Sequence, residues 1–406
     1  MQDARQTIEL VARSAYGRLV AYLSSQTRDV AAAEDALGEA LLEALTSWPR
    51  DGQPQSPESW LLTAARHRLL DQQRRMRAWE RHEAVLRSLV DTAQAHEGPG
   101  GFPDERLRLF FVCAHPAIDP TVHAPLMLQV VLGLDAARIA PVFLVSPAAM
   151  SQRLVRAKTK IREAAIPFEV PDDRELPRRL ESVLEAIYGA FGLGWDGVAG
   201  ADPSARGLAE EAVWLARGLV QLMPDEPEAR GLLALLLFCE SRRLARRTTR
   251  GEYAPLSEQD PALWSESAIE EAETELATAA RRGHHRGRFQ LEAAIQSVHA
   301  DRRITGRTDW EAIELFYEHL IGLAPTLGAR IGHAVASAEV RGPAAGLELL
   351  DGITRRTVSS HQPFWAARSH LLKRLGRKDE SLQAYDLAIG LTQDDAVRRF
   401  LLERRG

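Results

Sequence analysis

Apolar positions recur at spacings of three and four over most of the chain, a rhythm that predicts an all-α fold. Ile8, Val11, Ala12, Ala15, Leu19, Tyr22 and Leu23 mark a first helix. Asp29 is placed to cap a second, with Ala36, Leu37, Ala40, Leu41, Ala44 and Leu45 as its inner stripe and an acidic opposite face. A loop follows with Pro49, Asp51, Gly52 and Pro54, and then Ser56-Pro57 opens a third helix that begins apolar and ends cationic. Residues 82–104 contain AQAHEGPGGFPD, whose Gly and Pro content reads as a flexible linker.

The most informative segment is Leu134 to Arg162, LDAARIAPVFLVSPAAMSQRLVRAKTKIR. Gly133 ends the preceding apolar helix, Asp135 can cap the next, and Ser146 followed by Pro147 starts another at a defined residue. Met150, Leu154, Ala157 and Ile161 then face inward, against Ile139, Ala140 and Phe143. The opposite face carries Gln152, Arg153, Arg156, Lys158, Lys160 and Arg162, with no acid from 153 to 162. Two short helices with a tight corner and a basic second helix predict a helix-turn-helix that lays that second helix in a DNA major groove. The basic residues would meet phosphates, while Ser146, Ala148, Ala149, Ser151 and Gln152 lie where base edges are read. Pro141 should kink or shorten the first helix, and Leu144 stands where the turn favours glycine.

From about Pro171 the pattern changes to paired amphipathic helices. LAEEAVWLARGLVQLMPDEPEARGLLALLLFCESRRLA, WEAIELFYEHLIGLAPTLGARIGHAVASAEVRGPAAGLELL and FWAARSHLLKRLGRKDESLQAYDLAIGLT each hold one pair. Pro224 and Pro325 close helices, and Gly342 and Gly376 sit at tight turns, as in tetratricopeptide-like arrays. Stacked pairs make a groove, so a protein or peptide partner, or the chain's own N-terminal modules, is the expected occupant. The loop GEYAPLSEQDPALW, with Gln259, Asp260 and Trp264, stands apart from this repeat grammar.

Composition narrows the classes. With 406 residues, 45% hydrophobic and 26% charged, the chain can bury more than one core. Its net charge of -5 conceals an uneven spread: residues 1–170 hold 20 Lys and Arg against 20 Asp and Glu, leaving 31 against 36. The first part is neutral overall but carries basic stripes at 66–81 and 153–162, the footprint of nucleic-acid binding. The longest apolar run, Leu232 to Cys239, is too short to span a bilayer, and MQDARQTIEL lacks the character of a signal peptide, so a cytoplasmic location without membrane contact is expected. Cys113 and Cys239 lie far apart in apolar surroundings and suggest buried thiols rather than a disulfide or zinc site. No phosphate-binding glycine loop, HExxH or nucleophile elbow is present, and the adjacent His284 and His285 suit a surface turn. Neither an enzyme nor a cofactor or metal is expected.

The strings AEDALGEALLEAL, WPRDGQPQSPESWLLTAARHRLLDQQRR and the helix-turn-helix, in this order and spacing, resemble regions 2 and 4 of bacterial RNA polymerase sigma factors of the extracytoplasmic-function class. The remainder is similar to a subgroup with a tetratricopeptide-like C-terminal extension, although GLGW at 192–195 departs from that subgroup's Asn-Glu-Gly-Tyr. The resemblance implies four parts: region 2 at 1–81, a linker at 82–104, region 4 at 105–168 and a helical domain at 171–406. It implies core RNA polymerase and promoter DNA as partners. Glu34, Asp35 and Glu39 would grip the polymerase; a plain solvated face is the alternative. Arg66, His67, Arg68, Asp71, Arg74 and Arg75 would open the minus-ten element, though Asp71 could instead clamp Arg75 or His67. Trp60 suits either melting or the core. Ser146, Ala149, Gln152, Arg153, Arg156, Lys158 and Lys160 would bind the minus-thirty-five element. The contrasting reading is an operator-binding regulator or scaffold that acts without polymerase, and a third is that the helical array is the functional part and the N-terminal modules are degenerate.

Overall fold

The computed structural model describes all residues except 1, 28, 84–104, 164–170, 173, 197–202, 284–285 and 355–357. The fold is all-α; among the described residues extended pairing is limited to one isolated bridge, Arg247 with Tyr253. Contacts group the chain into two units, Met1–Leu193 and Gly194–Gly406.

The first unit begins with α1 (Gln2–Thr27), α2 (Val30–Asp51) and α3 (Pro57–Glu83). Asp29 caps α2 by accepting from the Ala32 amide at 3.0 Å. The helix runs two residues past Pro49, because a proline in the last turn forfeits a single intrahelical bond, and Gly52 at φ +94° ends it. Its buried stripe is Val30, Ala33, Ala36, Leu37, Ala40, Ala44 and Trp48. Leu45, expected inside, is 42% exposed; the small residues draw α2 close to its neighbours along a narrower line. The expected linker lies outside the described residues from 84 onward.

α4 (Glu105–Cys113) packs against α1, and α5 (Pro120–Val130) packs on α4 and leads into the helix-turn-helix. Gly17 of α1 sits so close to the end of α5 that an added Cβ would lie 1.8 Å from the Val131 carbonyl oxygen. This is where glycine inside a helix, ordinarily a cost of about 1 kcal/mol against alanine, is required by close approach. α8 (Leu176–Asp196) docks on the same unit: His123 bonds Ser182 Oγ at 3.0 Å through Nδ1 and the Ile118 carbonyl at 3.1 Å through Nε2. Buried Arg179 donates to the Phe111 carbonyl and pairs with Glu175 at 2.6 Å. The contacts of the first unit therefore extend to Leu193, beyond the change to paired helices near Pro171 that the sequence pattern shows.

The second unit stacks helices pairwise: α9 (Pro203–Leu222) on α10 (Pro227–Ser241), then α11 (Glu266–Arg282) and α12 (Arg288–Ala300), which the sequence pattern had not singled out as a pair. After a four-residue turn, α13 (Arg302–Thr305), come α14 (Trp310–Leu323), α15 (Leu327–Arg341) and α16 (Pro343–Asp351). The last helices are α17 (Gln362–Arg374), α18 (Lys378–Leu391) and α19 (Asp395–Arg405). Leu291, Ile295, Ile313 and Leu320 fill one inter-helix core, and Ile331, Leu350, Phe364 and Leu371 the next. Gly342 and Gly376 adopt φ +93° and +73° at the turns where the pattern places them. Between α10 and α11 the chain makes a long excursion through short 3-10 turns. It is tied to α19 by Arg247–Asp394, by Arg404–Glu258 and by an edge-on Tyr253–Phe400 contact at 5.4 Å.

Candidate nucleic-acid interface

The corner of the helix-turn-helix is built by four local devices. Asp135 Oδ1 accepts from the Arg138 amide at 2.9 Å and starts α6 (Ala136–Ile139), only four residues long. Pro141 then shortens the helix as expected: the chain tightens into a 3-10 turn, Ala140–Phe143, with the proline in its first turn. Leu144 takes the left-handed conformation, φ +52°, the one non-glycine residue with positive φ among those described. Ser146 Oγ accepts from the Ala149 amide at 3.3 Å and opens α7 (Pro147–Glu163).

α7 buries Met150, Leu154 and Ala157, so its polar face is fixed in direction. Ser146, Gln152, Arg156 and Lys160 are exposed, and Ala149 and Arg153 are half-buried. Arg156 folds back on the Gln152 carbonyl at 3.3 Å, a weak tether that leaves its charge available. Lys158 lies on a different side of the helix. Its Nζ stands 2.8 Å from Glu34 of α2, with side-chain exposures of 26% and 10%.

That pair lines a cleft of about 410 Å³ with Tyr16, Asp35, Gln129 and Asp135, between α1–α2 and the helix-turn-helix. Burial raises the pKa of Glu34 above the usual carboxylate range; Lys158 opposes that shift and Asp35 adds to it. Burial also pushes up Tyr16, with Glu34 and Asp35 contributing, and pushes up the fully buried thiol of Cys113. Of the three carboxylates expected to face polymerase, Glu34 therefore points inward, whereas Asp35 and Glu39 are exposed.

The cationic part of α3 is partly engaged with its own unit. Arg66 stacks over the Tyr22 ring at 5.0 Å and donates to its hydroxyl. Arg68 spans Glu39 at 3.7 Å and Glu43 at 3.0 Å. These ion pairs are exposed and worth at most about 1 kcal/mol each, so a phosphate could replace them. His67 is exposed; the side chains of Asp71, Arg74 and Arg75 lie outside the described residues. Trp60 is half-buried, edge-on to buried Trp48 at 5.5 Å. With Glu43, Thr63, His67 and Arg68 it borders a shallow pocket of about 320 Å³. Glu43 was not singled out from the sequence, where a carboxylate one turn beyond Glu39 was the available signal, and Tyr22 was read only as part of the apolar stripe of the first helix.

Elsewhere, Glu314, Glu318 and His333 bring ligand atoms within 4.8 Å of one another, the one such group among the described residues. Glu314 already pairs with Arg341, so one of the three groups is engaged with a cation of the chain itself. No helix among the described residues is long and apolar enough to cross a membrane.

Comparison with known proteins gives residues 11–80 a match to Sigma-70 region 2. Residues 179–280 match a family of unknown function, DUF6596. An uncharacterized protein of Rhizobium meliloti (strain 1021) is 38% identical over 401 residues, covering 97% of this chain and 94% of its own. Among solved structures, yeast Tom70 aligns with 100% of this chain and 85% of its own at 11% identity and a TM-score of 0.34, too low to carry an argument.

Proposed function

Because the chain belongs to the same family as the Rhizobium meliloti protein and carries a Sigma-70 region 2 at residues 11–80, we propose that it is a promoter-specificity factor of the extracytoplasmic-function class. It binds core RNA polymerase and directs initiation. The region 2 match is the observation that carries this reading. The basic end of α3, with Arg66, His67, Arg68, Arg74 and Arg75, holds the backbone of the opened minus-ten element, while the pocket beside Trp60 receives an unstacked base. The exposed face of α7, with Gln152, Arg153, Arg156 and Lys160, binds the minus-thirty-five element, and Ser146 and Ala149 at its start lie against base edges. Asp35 and Glu39 meet the polymerase.

Glu34 and Lys158 occupy each other in the conformation described. On this reading they become available only when the two modules part, and polymerase binding supplies the free energy for that step. The C-terminal unit regulates the factor through a partner.

The test is competition of the full-length chain with a known sigma factor for purified core RNA polymerase, followed by transcription from a bound promoter. Competition supports the reading. Specific DNA binding by the chain alone, without competition for polymerase, replaces it with an operator-binding regulator. A shortened form should run to the end of α8 at Asp196 rather than stop near 170, since most of that helix, to Leu193, belongs to the first unit.

A further inference from the structure

The excursion between α10 and α11 contains the motif LSEQDPALW, which promoter recognition does not use. Three side chains at least nine-tenths buried lie in or beside it, each with a polar atom that has no partner: Arg242 Nη1, Gln259 Oε1 and Trp264 Nε1. They belong to one constellation. The Ser265 amide donates to the Ser241 carbonyl at 2.8 Å, bringing the chain at Trp264 beside the chain at Arg242. Arg302 stacks over the Trp264 ring at 5.0 Å and donates to the Gln259 carbonyl at 2.7 Å and the Leu256 carbonyl at 2.9 Å. Gln259 Nε2 donates to the Ala254 carbonyl at 3.2 Å, which fixes Oε1 as the idle atom.

The charge balance here is unlike that at other buried charged groups. Buried Arg179 has Glu175, and buried Glu314 has Arg341. Arg242 has neutral partners, Gln296 Oε1 at 2.6 Å and Cys239 Sγ at 3.8 Å, and no carboxylate ion pair is formed by it or by Arg302 among the described residues. A buried guanidinium without a counter-charge is strongly unfavourable. Beside it, His299 is driven down to about 3, first by burial and then by Arg242 and Arg302, so it remains neutral and supplies no relief to either arginine. One guanidinium nitrogen of Arg242 and the indole N–H thus lack acceptors where the chain provides no anion, Arg302 spends its donors on the Leu256, Ser257 and Gln259 carbonyls but adds its charge, and one amide oxygen lacks a donor.

We propose that this constellation is an oxyanion site, in which Arg242 and Trp264 Nε1 hold the oxygens of a hydrogen phosphate or a hydroxycarboxylate and Gln259 Oε1 accepts the ligand's own hydrogen. Arg302 adds charge from across the indole. The planar guanidinium fork matches either group. The site is independent of the promoter-binding reading.

The experiment is thermal unfolding of the full-length protein in chloride, phosphate or lactate at matched ionic strength, beside Arg242→Met. Phosphate stabilises folded proteins generally by exclusion, so the readout is the anion gain of the native chain beyond that of the variant. A gain of about 2–4 °C is expected. A gain with phosphate alone identifies a phosphoryl ligand, and one with lactate alone a carboxylate. In chloride, Arg242→Met should melt at or above the native chain, because it deletes an unpaired buried charge. Equal anion gains in the native chain and variant would overturn the proposal. Should Arg242→Met not fold, Trp264→Phe keeps the ring under Arg302 and removes one donor; it should weaken anion binding about tenfold, and undiminished binding would likewise overturn the site.

Discussion

Replacing Lys158 by methionine should destabilise the first unit increasingly as pH rises, whereas replacing Glu34 by glutamine should cost little. Glu34 is 10% exposed and has Lys158 as its paired cation at 2.8 Å. Removing one member of a buried pair costs about 3–5 kcal/mol when the other stays charged. Lys158 is 26% exposed, which places the cost near the lower end, about 3 kcal/mol around pH 7.5. The carboxyl has an escape: it can take up a proton. Its pKa is already raised by burial and rises further without the cation, so the folded variant binds a proton that the unfolded chain releases. Stability of the variant therefore falls as pH rises above the unfolded carboxylate value, by up to about 1.4 kcal/mol per pH unit. Lowered toward about pH 5, the penalty should largely vanish.

Glu34→Gln keeps an acceptor and leaves Lys158 able to reach water, so its cost should be about 1 kcal/mol near neutrality and somewhat more toward pH 5, where the native carboxyl with its raised pKa takes up a proton in the folded state. The double variant should resemble Glu34→Gln, giving a coupling energy of about 3 kcal/mol around neutrality. Urea unfolding followed by far-ultraviolet circular dichroism at two pH values measures all four corners. Single variants that add without coupling, or a Lys158→Met penalty identical at both pH values, would refute the buried-pair reasoning.

Gly17→Ala should lower stability by about 1–3 kcal/mol despite alanine's better helix propensity, because the new Cβ would collide with the Val131 carbonyl; a rise in the melting point would show that the approach is looser. Leu144→Gly should gain about 0.5–1 kcal/mol in denaturant unfolding by relieving the left-handed strain at a 60% exposed position, and Leu144→Ala should gain nothing. His299, held down to about 3, contributes stability that is complete above the unfolded value near 6.5 and lost as pH falls toward 3. His299→Leu should flatten the stability profile over that window, and an unchanged profile would exonerate the imidazole. On the proposed function, Arg153→Ala or Arg156→Ala should each lower the salt slope of promoter binding by polymerase holoenzyme by about one, and an unchanged slope would remove that residue from the phosphate contacts.

What could be read in the sequence was what neighbours along the chain determine. Asp29, Asp135 and Ser146 cap because a short polar side chain reaches an amide two or three residues on, and Pro141 shortens a helix for reasons internal to its own ring. Spacing found the inner face of α7 because Met150, Leu154 and Ala157 share one side of a helix whatever they meet. Spacing does not name the partner. Glu34 and Asp35 are adjacent in sequence and equally acidic, and only the approach of α7 turns one into a buried ion pair and leaves the other exposed. Gly17 was a legible signal left unused, since a glycine amid a good helix pattern marks a place where something comes close. Arg242 was not legible: it stands in the run SRRLARR, where Arg243 pairs with Glu240 and Arg246 lies over Trp195 at 4.3 Å. Three arginines of one short segment thus have a carboxylate, an aromatic face and neutral partners. The one whose charge goes unanswered is the one whose role the chain alone does not complete, which is why the oxyanion test discriminates where further reading of the sequence cannot.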